Sequence, residues 1–134
     1  MNYRALHTAV ANTLKAAAAT LGVPPERIEH GTRTMPTAAP AVQYYIELQS
    51  DELTDQQAWS IPKAVVTIFC LAAATDDLAD TRIRAVEMAA HARDTLAYAL
   101  ERNNPSITQP TWDNDYPGYS AAYVEMTIHL KSVL

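Results

Sequence analysis

Four histidines, one cysteine and several clustered acids are the residues of this chain with the chemistry to form a reactive centre. The histidines are His7, His30, His91 and His129, and no two stand at the i, i+4 spacing that offers paired ligands on one helix face. A metal site needs two or more of them to converge with carboxylates. Glu87, His91 and Asp94 lie along one face of an expected helix and could hold a divalent ion. A solvated face with an intrahelical Glu87–His91 pair is the plainer account. Cys70 is the single thiol, set among Ile68, Phe69 and Leu71 with no adjacent cation to favour a thiolate, so it reads as a small buried hydrophobe. Asp76, Asp77 and Asp80 have the composition of a hard-metal or acid–base cluster. A simpler role is structural: Thr75 or Asp76 caps a helix and the remaining acids complement its dipole. The three glycines, Gly22, Gly31 and Gly118, make no phosphate-cradling loop. No Gly-x-Ser-x-Gly elbow or Walker pattern is present. The expectation is a non-enzyme with no catalytic residue, metal or cofactor.

The aromatic residues carry a different signal. Trp59 and Trp112 fall in or beside polar loops, Tyr116 and Tyr119 flank Pro117 and Gly118, and Tyr45 and Tyr123 sit on the wet faces of expected strands. Exposed aromatic side chains are enriched where proteins meet. The competing account is that the rings fold back over the sheet edge as small satellite clusters. Acids accompany them: Asp51, Glu52 and Asp55 precede Trp59, and Asp113 and Asp115 follow Trp112. Together with Asp76, Asp77 and Asp80 these acids carry −8, leaving +3 on the rest of a chain whose net charge is −5. That balance argues against nucleic-acid binding, which needs clustered Lys and Arg.

The elements that must position these residues follow from periodicity. Residues 2–21 space Leu6, Val10, Leu14 and Leu21 as a helix does, and Gly22 with Pro24 and Pro25 ends it. A short strand is expected around Ile28, and residues 31–40 read as a loop. Residues 41–49 alternate, with Val42, Tyr44, Ile46 and Leu48 facing inward. Residues 64–73 are apolar on both faces, as in a strand covered twice, with another subunit one candidate for the second cover. Residues 77–102 form the longest helix, with an apolar stripe of Ile83, Val86, Ala90, Leu96, Ala97 and Leu100. Residues 105–118 read as irregular apart from a short strand at Ile107. Residues 121–131 alternate again, burying Ala122, Val124, Met126, Ile128 and Leu130. The fold class is α+β: a mainly antiparallel sheet of about four strands with two helices packed on one face.

At 134 residues, one domain is expected, with a core able to form without staples. The mean hydropathy is −0.14 and no apolar run is long enough to span a bilayer. A single cysteine and the absence of a signal-peptide pattern lead to the expectation of reducing cytoplasm.

Four stretches in this order are similar to one family. They are ALHTAVANTLKAA, PAVQYYIELQSDELTDQQAWSIPKAVVTIFCLAAA, DDLADTRIRAVEMAAHARDTLAYAL and WDNDYPGYSAAYVEMTIHL. The chain resembles the phage tail terminator family, in particular the minor tail protein U type of long non-contractile tails. The likeness covers most of the chain and lies in the order and lengths of the stretches. The threonine- and proline-rich loop 31–40 and the long alanine-rich second helix depart from the family pattern.

The resemblance implies a structural virion protein, found in the tail and, during assembly, in the host cytoplasm. Such a protein joins copies of itself in a hexameric ring on a finished tail tube, stops its growth and provides the head-joining surface. Its partners would be itself, the tube protein and a head–tail connector or head-completion protein, with no membrane and no specific nucleic acid, although DNA passes the lumen. The residues expected at protein interfaces are Tyr45, Asp51, Glu52, Asp55, Trp59, Trp112, Asp113, Asp115, Tyr116, Tyr119 and Tyr123. The alternative is a small α+β ligand-binding domain or enzyme with a pocket between helix and sheet, near His91 or Cys70. A dimerising accessory protein is a third reading.

Overall fold

The computed structural model describes residues 2–31, 39–49 and 63–130. Asn2 opens the first helix, α1 (Tyr3–Ala16), by accepting the Ala5 N–H at 2.7 Å. Leu6, Val10 and Leu14 form its buried stripe. The expected continuous helix breaks at Ala17, which leaves helical geometry before α2 (Ala18–Leu21) resumes. The break turns Ala17, Ala18 and Leu21 all into the core. Gly22 then ends α2 in the left-handed conformation, φ 72°, as its position predicts.

Among the described residues the sheet has six strands, where about four were expected. β1 (Ile28–His30) runs parallel to β2 (Ala41–Gln49), and β2 is antiparallel to β3 (Lys63–Ala73). β3 is antiparallel to β6 (Tyr119–His129), whose other edge is shared by β4 (Ser106–Ile107) and β5 (Thr111–Tyr116). The order is β1-β2-β3-β6-β4, with β5 beside β6. Residues 111–116, expected to be irregular, form a strand because the edge of β6 supplies hydrogen-bond partners that no periodicity in TWDNDY announces. The β5–β6 register shifts by one residue at Asp113, between Trp112 and Asn114, the signature of a bulge.

Both long helices pack on one face. Even-numbered residues of β3 and β6, among them Val66, Ile68, Cys70, Val124, Met126 and Ile128, meet α1 and α3 (Leu78–Ala99) in the main core. Each large side chain fully buried there contributes about 1.5–3 kcal/mol. Asp77 caps α3 by accepting the Ala79 N–H at 3.0 Å, in place of the expected Thr75 or Asp76. The buried face of α3 is Thr81, Ala85, Ala89, Ala92 and Leu96. The expected stripe is therefore rotated: Leu96 and Leu100 are buried, but Ile83 is 55% exposed. Small side chains let the helix axis approach the sheet, so alanines take the contact. Leu48, expected inward, is 56% exposed near the end of β2. Asn103 Nδ2 donates to the His129 carbonyl at 3.1 Å and ties the turn after α3 to the end of β6. Among the described residues no helix is long and apolar enough to cross a membrane.

Candidate functional site

The far face of the sheet is covered by neither α1 nor α3. Odd-numbered residues of β2, β3 and β6 point there, since successive strand residues alternate between faces. At one end Ala41, Leu71 and Ala121 form a small second cluster beneath Tyr116 and Tyr119. Beyond it an aromatic row crosses three strands. Tyr45 meets Phe69 edge-to-face at 5.8 Å between ring centroids, and Phe69 meets Tyr123 at 5.5 Å. All three are half-buried. A cleft of about 260 Å³ lies between this row and the hairpin, bounded by Gln43, Tyr45, Phe69, Asp113 and Tyr116. Gly31 sits so close that a Cβ there would meet the Tyr45 ring, so a larger residue at 31 would require that ring to shift.

The β5–β6 hairpin brings the rest together. Tyr116 and Tyr119 stack at 5.1 Å, and Tyr116 OH donates to Asp113 at 3.3 Å. Desolvation raises the pKa of both tyrosines, and the Asp113 carboxylate adds to the effect on Tyr116. The bulge puts Trp112 and Asp115 on the helix side. There Arg82 of α3 grips Asp115 and stands 4.8 Å over the Trp112 ring. Ser120 Oγ donates to the same carboxylate at 2.6 Å. The Arg82 hydrogen bonds, with that of Ser120, hold the Asp115 carboxyl at about 2. Asp115 is therefore neutralised within the subunit, while Asp113 remains on the open face.

The expected interface residues thus divide in three. Tyr45 and Tyr123 join one aromatic row through Phe69, a member of the apolar run 64–73 that is not among the expected interface residues. Trp112, Asp113, Asp115, Tyr116 and Tyr119 converge in one hairpin. Asp51, Glu52, Asp55 and Trp59 lie outside the described residues.

The candidate reactive groups are dispersed. Cys70 is completely buried and burial pushes its thiol up to about 12. Asp77 is a cap and Asp80 pairs with Arg84 at 3.0 Å. Among the described residues no three His, Cys, Asp or Glu side chains gather as a metal site. Two histidines do meet: His7 on α1 and His30 on β1 lie 4.8 Å apart, in a chain of rings running from Tyr3 to Tyr44. Desolvation, then repulsion from His30, lowers the His7 pKa. Helix periodicity places His7 beside the buried stripe, but its meeting with His30 depends on the parallel pairing of β1. A second cleft, about 490 Å³, opens where the end of α2 meets α3, lined by Arg84, Glu87, Met88 and His91 of α3 together with Leu21 and Ala72.

No protein-family model matches the chain, and no curated protein is similar to it at a meaningful level.

Proposed function

We propose that this protein is a structural component of a phage tail that closes a completed tail tube as a ring of copies and presents the surface joining it to the head. The observation that carries this reading is the sheet face opposite the helices, with its Tyr45–Phe69–Tyr123 row and the tyrosine-stacked hairpin beside it. Aromatic side chains grouped on a face that neither α1 nor α3 covers suit protein contact better than catalysis. The order of the chain's segments, similar to that of tail terminators, supplies the kind of contact. One heterologous interface repeated about a closed rotation gives a ring. In this reading the acidic stretch with Asp51, Glu52 and Asp55 meets a basic surface on the tube or connector and sets register. The protein acts in the virion tail after assembly in the host cytoplasm.

The test is co-expression with a phage tail tube protein, followed by electron microscopy. Tubes of uniform length bearing a terminal ring are expected; tubes of unlimited length without a bound cap overturn the reading. Charge reversal at Asp51, Glu52 and Asp55 is expected to lengthen the tubes and block head joining. Unchanged tubes and heads would remove that stretch from the docking surface.

The cleft beside His91 favours a second reading, a small ligand-binding α+β domain. Its volume falls within the range of small-molecule sites, and an arginine, a carboxylate and an imidazole are among its lining groups. Saturable binding of a metabolite that His91→Ala and Arg84→Ala both abolish would support it over the ring.

A further inference from the structure

We infer that the contact joining successive copies seats the aromatic sheet face of one subunit against the outer face of α1 of the next. This deepens the ring reading and rests on it. The first argument is the chemistry of the sheet face. Beside the Tyr45–Phe69–Tyr123 row, Glu47 of β2 and Glu125 of β6 are exposed, and neither has an ion-pair partner among the described residues. Asp113 adds a third carboxylate at the hairpin end. Lys63 and His129 stand at the opposite end of the same face. A partner for this patch should therefore offer cations beside uncharged surface.

The helix layer offers such a surface once. The three arginines of α3 are each engaged within the subunit: Arg82 with Asp115, Arg84 with Asp80 and Arg93 with Asp94. The helix α1 contains no acidic residue. Its exposed Arg4, Thr8, Asn12 and Lys15 fall on one face by their i, i+4, i+8, i+11 spacing. Arg4 and Lys15 have no carboxylate partner among the described residues. The two complementary surfaces lie on opposite sides of the sheet in one subunit, since α1 packs on the face away from the aromatic row. They cannot meet within a chain. Between chains they meet head to tail, which is the heterologous geometry a ring requires.

The experiment uses two charge-reversed variants of the full chain, E47K/E125K and R4E/K15E, all at exposed positions, with circular dichroism as the folding control. Oligomer size is followed against concentration by analytical ultracentrifugation. Each variant alone is expected to raise the concentration of half-assembly at least about tenfold, through like-charge contacts at the junction. Mixed in equal amounts they are expected to regain assembly with one-to-one composition, because both junctions of an alternating ring are then complementary. If wild type assembles and both variants assemble equally well, or if mixing restores nothing, the inference fails and the ring reading stands. A wild type that is monomeric at every concentration but still caps tail tubes also overturns the inference alone. One that is monomeric and caps no tube overturns both.

Discussion

Arg82 and Asp115 are 33 positions apart in the chain and joined by a forked ion pair. The guanidinium Nε donates to the two carboxylate oxygens at 3.2 and 2.9 Å, and Nη2 closes on Oδ2. This pair fastens the β5–β6 hairpin to the flank of α3, and with it the tyrosines that edge the open sheet face. Planar two-point recognition of this kind fixes orientation as well as distance.

Replacing Arg82 by Met should release Asp115. Its carboxyl titrates at about 2 in the folded chain, below the ordinary 3.8, so the pair's stabilisation is complete above the ordinary value and is lost as pH falls through about 2. In Arg82→Met the titration midpoint, read from the carboxyl carbon by NMR, should rise toward the ordinary range. An unchanged midpoint would assign the shift to Ser120 instead.

The His7–His30 contact predicts sensitivity to mild acid. The folded chain lowers the His7 pKa below 6.5, so protonation favours the unfolded state. Stability should be complete above about 6.5 and should decline as pH falls toward the lowered value. Urea midpoints at pH 7.5 and 5.5 should differ more for the wild type than for His7→Gln. Equal differences would show that this imidazole is not the group responsible.

Cys70 should behave as a core methyl-sized group. With its thiol raised to about 12 and no exposed surface, it should resist iodoacetamide at pH 8 in the native protein and react once denaturant unfolds the chain. Cys70→Ser should cost roughly 1–3 kcal/mol, because a hydroxyl enters apolar surroundings. Rapid labelling of the folded protein would contradict this.

The rotation of α3 predicts an inverted pattern of mutational cost. Ile83→Ser, at a site 55% exposed, should change stability by no more than about 0.5 kcal/mol. Ala89→Leu, at a site with no exposed surface, should lose about 1–3 kcal/mol from overpacking. Denaturant unfolding of the two variants measures both.

Much of the frame was legible from spacing. The alternation in residues 41–49 and 121–131 placed β2 and β6, and the long apolar run placed β3, because each has side chains repeating every two residues. Gly22 announced its own left-handed turn. Strand β5 was not legible, since its six residues are mostly polar and owe their conformation to an edge supplied by β6. The buried face of α3 was misread because hydrophobicity favours Ile83 over Ala85, whereas close packing on the sheet favours the smaller side chain.

The candidate surface divides along the same line. Outward placement of Tyr45 and Tyr123 follows from strand alternation alone, a local property of each segment. That Phe69 stands between them, that Asp115 is consumed by Arg82, and that His7 meets His30 are facts of register and docking between distant segments. Local periodicity is set by backbone geometry within a few residues, so the linear order of residues determines it. Which side chains then become neighbours depends on strand pairing and helix seating, and those depend on the packing of the whole core.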